Sequence, residues 1–145
     1  MPILDKRKNQ FIEDQDTRVS VGIDFPFARV PNQDGYFKTT KTTIDAIKNN
    51  IKLLLQTEQG ERVFQPTLGM GLKRFVFEQI NENTSIEIEN NIVDVFNTWL
   101  PFIDLKNIQI NIDSENRVNN KININITFSI KRAPGSLESV GIVLE

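Results

Sequence analysis

Cysteine and histidine are both absent from the 145 residues. Without cysteine there can be no disulfide and no thiolate site, so the fold must be held by its own core, which fits assembly inside a cell. Without histidine the chain lacks the commonest metal ligand, the usual general base and the side chain that titrates near neutrality. Catalysis is left to carboxylates, Lys, hydroxyls and the single Tyr36, and Ser20, Ser114, Ser129, Ser136 and Ser139 have no imidazole to activate them. A basic excess is missing too. Lys and Arg number 17 against 19 Asp and Glu, and the one basic run, Lys6-Arg7-Lys8, is soon followed by Glu13, Asp14 and Asp16. Nucleic-acid binders carry a lopsided basic face, so no nucleic-acid partner is expected. No apolar run approaches the ~18 residues of a membrane span, and Met1–Gln10 lacks the apolar centre of a signal peptide, so no membrane partner is expected either. No Asp-x-Asp-x-Asp-Gly calcium loop occurs. Gly69-x-Gly71 lacks the third glycine of a dinucleotide fingerprint and reads as a tight turn. No cofactor and no metal are expected.

What remains is a soluble chain of one-domain length, able to bury about 68–70% of its unfolded surface. Residues 1–18 are polar, with Ile3, Leu4, Phe11 and Ile12 too few to offset ordering entropy. They read as an arm, mobile or laid along a partner, ahead of a single domain over 19–132 and a terminal strand over 133–145. Val19–Ile23 alternates like a short strand and leads into Phe25-Pro26-Phe27; Pro31 and Asn32-Gln33-Asp34-Gly35 then mark an irregular edge and a turn.

Two helices follow from spacing. Thr42 caps the first, with Asp45 as its capping-box partner. Ile44, Ile47, Ile51, Leu54 and Leu55 then share a face, and Gly60 is the expected stop. Thr84-Ser85-Ile86-Glu87 reads as the capping box of the second, whose stripe is Ile88, Ile92, Val95, Phe96 and Trp99 and whose end is Pro101. Between them Leu72–Glu78 suggests a short helix or turn pressing Phe75 and Phe77 inward. After Pro101 the period falls to 2. Ile108, Ile110 and Ile112, a turn at Ser114–Arg117, and Ile122, Ile124, Ile126, Phe128 and Ile130 make a hairpin with one greasy face. The predicted class is α+β, two main helices on one face of an antiparallel sheet built around this C-terminal hairpin. Pro134-Gly135-Ser136 is expected to break the hairpin before Val140–Glu145 forms another strand, paired internally or offered to another chain.

The most informative stretch is Gly60–Leu72. Val63, Phe64, Leu68, Met70 and Leu72 are more apolar than a solvated linker needs, so the segment must pack against something. Its one catalytic reading is a muramidase, in which Glu61 and Glu78 would have to meet across the loop as an acid pair about 5–9.5 Å apart. The plainer reading makes Glu61 a solvated or Arg-paired acid beside a helix end and Glu78 the close of a short helical turn.

The Phe25-Pro26-Phe27 entry, the helix ending in Leu53–Arg62, and the series Gly60-Glu61-Arg62, Phe64-x-Pro66-x-x-Gly69-x-Gly71-Leu72 and Phe75-Val76-Phe77-Glu78 together resemble the small baseplate wedge family of contractile phage tails. That family has relatives in type VI secretion baseplates and other injection machines. The resemblance covers roughly residues 21–130. It implies a non-enzymatic structural subunit of the virion tail baseplate, assembled in the host cytoplasm, six copies to a hexagonal baseplate. Its implied partners are larger wedge subunits and the tail sheath protein, with tube or hub proteins as further candidates. The family's Glu-Pro-Arg docking motif falls on Leu100-Pro101-Phe102, where both charges are replaced by apolar groups. Docking there would run on burial, unless Leu100 and Phe102 belong to the domain's own core. The family's sheet resembles the strand-exchange module of sheath subunits, which implies sheath initiation here through the strand carrying Val140, Ile142 and Leu144. The lysozyme label often attached to the family finds no support in these residues.

Overall fold

The computed structural model describes residues 11, 14, 16, 18–30, 35–77, 82–111 and 121–144. In chain order they form β1 (Gly22–Ile23), β2 (Thr39–Thr40), α1 (Thr43–Gln56), α2 (Lys73–Phe77), α3 (Glu82–Trp99), β3 (Ile103–Asn111), β4 (Ile122–Ile130) and β5 (Ala133–Leu144). The class is α+β with antiparallel pairing, β1 with β2 and a three-stranded sheet ordered β3-β4-β5. The chain divides into two compact units, residues 1–51 and 52–145, and α1 contributes turns to both.

In the first unit the start of α1 is satisfied twice. Thr42 Oγ1 accepts the Asp45 N–H at 3.3 Å and donates to Asp45 Oδ2 at 2.6 Å, so the acid reaches back to the hydroxyl. Asp14 lies inside the stretch expected to be an arm. It is buried, and its Oδ1 accepts both the Thr43 N–H and the Thr43 hydroxyl at 2.7 Å. A carboxylate at a helix start meets orphan N–H groups and the positive end of the dipole, which ties this point of the chain to α1. Met1–Gln10, Ile12, Glu13, Gln15 and Thr17 lie outside the described residues, as do Pro31 and the Asn32–Asp34 turn positions. Asp24 gathers a second cluster, accepting from the Phe25 N–H, from Asn49 Nδ2 at 3.1 Å and from Lys38 Nζ at 2.7 Å.

The bond from Lys38, then that from Asn49, holds the Asp24 carboxyl below its usual range, and Asp24 in turn raises Lys38. A depressed carboxylate contributes stability that is present above its unfolded pKa, about 3.9, and is lost as pH falls through the lower folded value. The raised Lys38 contributes stability present below its unfolded pKa and lost as pH rises through the higher folded one. Asp24→Asn is therefore expected to narrow the gap in thermal midpoint between pH 7 and pH 3 relative to the parent, read by circular dichroism. An unchanged gap would remove Asp24 from the acid response.

In the second unit α1 ends at Gln56, four residues before the expected glycine stop. Thr57 N–H still makes the helical bond to Leu53 O at 2.9 Å, but the next N–H, that of Glu58, turns to Glu61 Oε2 at 3.0 Å in place of Leu54 O, and the ladder stops there. α3 begins at Glu82, so Thr84 sits inside its first turn rather than capping it. The predicted stripe is buried at Ile88, Ile92, Val95 and Phe96, and Trp99 is half-buried. Phe77 corrects the reading of α2. Phe75 and Val76 are buried, but Phe77 is 81% exposed. Residues two apart on a helix point about 200° apart, so one short turn cannot bury both rings.

The hairpin expected after Pro101 forms, with Ile122, Ile124, Ile126, Phe128 and Ile130 all buried along β4. Ile112 and the turn Ser114–Arg117 lie outside the described residues. On β3 the inward residues change parity, Ile103 and Leu105 opposite Ile130 and Phe128, then Ile108 and Ile110 opposite Ile126 and Ile124. A bulge at Lys106 absorbs the extra residue and keeps both pairs on one face. α3 lies against β3. β5 starts at Ala133, the first residue of the expected terminal segment and well ahead of Val140, directly across from Ile130. Pro134-Gly135-Ser136 does not end the sheet; it forms the irregularity between Ile130 and Ser129 in the register, closed by Ser136 Oγ donating to Ala133 O at 3.0 Å.

Candidate functional site

The family-motif loop is clasped at its base. Gly60 N–H donates to Pro66 O at 2.8 Å, and Met70 N–H donates to Thr57 O at 3.0 Å. Glu58 and Glu61 exchange bonds, Glu61 N–H to Glu58 O at 3.2 Å and Glu58 N–H to Glu61 Oε2 at 3.0 Å. Gln65 N–H to Arg62 O and Leu68 N–H to Gln65 O close two further turns. Glu58 Oε1 accepts the Lys73 N–H at 3.2 Å and so joins the loop to the start of α2. The expectation that the whole segment packs holds only for its end. Gly69, Met70, Gly71 and Leu72 are buried, whereas Val63 is 88% and Phe64 97% exposed. Gly60, Glu61, Arg62 and Pro66 are exposed as well.

Two loop glycines differ in why they are glycine. Both have positive φ, 87° at Gly60 and 118° at Gly69. A Cβ at Gly60 meets nothing within 4 Å, but at Gly69 it would lie 2.4 Å from the Thr57 carbonyl oxygen, the acceptor of the Met70 clasp. Gly60→Ala is expected to lose about 1–2 kcal/mol through backbone strain alone. Gly69→Ala should lose roughly 3 kcal/mol or more, since strain and a backbone collision add. Urea unfolding of the two variants tests the order; equal losses would mean that the collision relaxes freely.

The turn at Leu100-Pro101-Phe102 divides the two readings of those residues. Leu100 is buried, with its N–H on Phe96 O at 2.8 Å, and belongs to this chain's core. Pro101 is exposed and Phe102 is 42% exposed. Lys131 holds the turn from the end of β4: its N–H donates to Phe102 O at 3.0 Å and its ammonium donates to Pro101 O. The Phe102 ring is thus displayed from a braced backbone.

Val140, Ile142 and Leu144 lie across from Ile126, Ile124 and Ile122 and are all buried. The terminal strand therefore pairs within its own sheet, and these three side chains are committed inward. Each outer strand, β3 and β5, has no second neighbour among the described residues.

Glu61 is exposed and bonded within its own loop, and Glu78 lies outside the described residues. An open cavity of about 460 Å³ is lined by Leu55, Gln56, Glu58, Lys73, Val143 and Leu144, with Glu58 as the one carboxylate among these described residues. No group of three or more Asp or Glu that could hold a metal occurs among the described residues, and no helix there is long and apolar enough to cross a membrane. Sequence reasoning missed Glu58 and Lys131 as braces, because single charged residues at element ends carry no periodic signal. It also missed a row of mostly exposed rings in the first unit. Phe25, Phe27, Phe37 and Tyr36 touch in succession at centroid distances of 5.7, 6.2 and 5.1 Å, and the Arg29 guanidinium sits 4.7 Å over Tyr36. The Phe-x-Phe and Tyr-Phe pairs flanking a turn were the available sign.

Among the described residues, then, apolar side chains project from hydrogen-bonded turns, and the outer strands β3 and β5 each have one neighbour, within an α+β fold. The chain belongs to the family described as Baseplate wedge protein gp25, whose model matches residues 41–135. Among solved structures it is similar to a Geobacter sulfurreducens protein provisionally named a tail lysozyme, at 25% identity and TM-score 0.59, covering 72% of this chain and 93% of that one. It is also similar in fold to a chain of the anti-feeding prophage baseplate (22% identity, TM-score 0.56, 84% and 82% covered). A third is a chain of the postcontracted pyocin R2 baseplate (16%, TM-score 0.53, 72% and 97% covered). No curated protein sequence matches it significantly.

Proposed function

We propose that this chain is a structural subunit of a contractile-tail baseplate wedge, joining larger wedge subunits and starting the sheath without transforming a substrate. Family membership supports the class, and one observation carries the mode of action: bulky apolar side chains stand out from hydrogen-bonded backbone instead of lining a cleft. Phe102, braced by Lys131, is the contact for a larger wedge subunit, and it works by apolar burial where the resembling motif is charged. Tube or hub proteins are further candidate neighbours, and the place of action is the tail baseplate, assembled in the host cytoplasm.

The sheath contact falls on the outer margin of β5. β3 is poorly suited, because its bulge carries Lys106, bonded to Asp104, and bulges and lysines blunt an edge. From Leu137 to Leu144 β5 pairs regularly with β4 and contains no Lys, Arg or Pro. Val140, Ile142 and Leu144 serve this contact indirectly: packed inward, they hold the strand whose other margin receives a sheath strand.

Cryo-electron microscopy of intact contractile particles from the source cell tests the reading. The expected result is density for this chain at the tail tip, with a sheath strand added beside β5. Particles complete without it, together with peptidoglycan turnover by the purified protein that is abolished in Glu61→Gln, would establish the lysozyme reading instead.

A further inference from the structure

The tip of the family-motif loop is unusual for what it leaves in water. Phe64 is 97% and Val63 88% exposed, although Met70 and Leu72 of the same segment are buried. The loop is therefore anchored in the core at one end and presents two adjacent apolar side chains at the other. Its backbone is closed by the Gly60–Pro66, Arg62–Gln65, Gln65–Leu68 and Thr57–Met70 bonds, so little ordering entropy is left to lose on contact. A convex apolar tip on a preorganised loop calls for a concave apolar receptor, and a buried aromatic anchor is the usual centre of a binding hot spot.

Charge narrows the occupant. The Glu61 carboxylate is engaged by the Glu58 N–H, and the Glu58 carboxylate by the Lys73 N–H. Arg62, next to the tip, is exposed and makes no ion pair among the described residues. The group left to a partner is one guanidinium beside two hydrocarbon surfaces. An anionic lipid surface fits poorly, since Glu58 and Glu61 sit at the base of the loop and the chain carries a net charge of −2.

We infer that Val63 and Phe64 plug an apolar socket with a carboxylate at its rim on a neighbouring protein subunit, a contact additional to Phe102 and to the margin of β5. The inference rests on the baseplate reading and deepens it. Because Phe64 touches almost nothing in its own chain, Phe64→Asp should fold with an unchanged thermal midpoint.

The test complements particles lacking the gene with parent, Phe64→Asp, Phe64→Leu or Phe102→Asp protein and measures incorporation by quantitative mass spectrometry of purified tails. Expected are at least a tenfold loss for Phe64→Asp, partial retention for Phe64→Leu, and cross-links from benzoylphenylalanine at position 64 to an acidic, apolar segment of one particle protein. Parent-level incorporation of Phe64→Asp, with Phe102→Asp excluded, overturns this inference and leaves the baseplate reading standing. A parent chain absent from particles overturns both. Flotation of the parent protein with phosphatidylglycerol vesicles, lost in Phe64→Asp, would assign the tip to lipid and overturn the socket.

Discussion

A chain lacking residues 140–145 is expected not to fold. Val140, Ile142 and Leu144 are 3, 6 and 6% exposed, and each such side chain stabilises by about 1.5–3 kcal/mol when buried. Their cross-strand partners Ile126, Ile124 and Ile122, at most 1% exposed in the intact chain, would be opened to water at the same time. The summed loss, roughly 5 kcal/mol or more before the ladder hydrogen bonds are counted, equals the whole stability of many domains, about 5–15 kcal/mol. Loss of the cooperative melt in circular dichroism, together with rapid proteolysis, is the expected outcome; a parent-like midpoint would show that β5 is dispensable. Such a truncation cannot separate sheath initiation from folding. Val143, 54% exposed on β5, offers a gentler site: Val143→Lys should leave the fold intact while placing a charge on the strand proposed to receive the sheath.

The elements most visible in the sequence were those with a single uninterrupted period. Ile44, Ile47 and Ile51 on α1, Ile88, Ile92 and Phe96 on α3, and the isoleucines of β4 are buried where their spacing places them. Errors came where a local contact overrides the pattern. The Glu61 carboxylate takes the Glu58 N–H and ends α1 before Gly60, and α3 starts at Glu82, ahead of the Thr84 box. Phe75 and Phe77 looked equivalent until the turn of α2 assigned one to the core and the other to solvent. The bulge at Lys106 was readable in principle from the parity change between Leu105 and Ile108, but it requires knowing which residue of β4 each one faces. The candidate site was legible as a motif and illegible as a surface. Sequence marks Val63, Phe64, Met70 and Leu72 as apolar alike, and only the clasp at Thr57 and Gly60 sorts them into anchor and tip.

Phe102→Asp and Leu100→Asp should fail in different ways, and the difference isolates docking from folding. Leu100 is buried at the end of α3, and a carboxylate there must be desolvated without a partner. A loss of several kcal/mol, or a pKa raised until the acid is neutral, follows. Phe102 is 42% exposed and its backbone is held by Lys131 whatever the side chain, so Phe102→Asp should cost only about 1–2 kcal/mol, the burial of the covered part of the ring, and leave the chain folded. If that ring enters an apolar pocket of a larger wedge subunit, the aspartate should lower wedge incorporation by a factor of ten or more. Phe102→Tyr should keep most of it, since ring area is preserved. Co-purification of reconstituted wedges, read beside thermal melts, checks both. Phe102→Arg sharpens the point, for it supplies the cation of the family's Glu-Pro-Arg motif at the same braced position. A receptor built for a cation would accept it, while one that has turned apolar alongside Leu100-Pro101-Phe102 would reject arginine as firmly as aspartate.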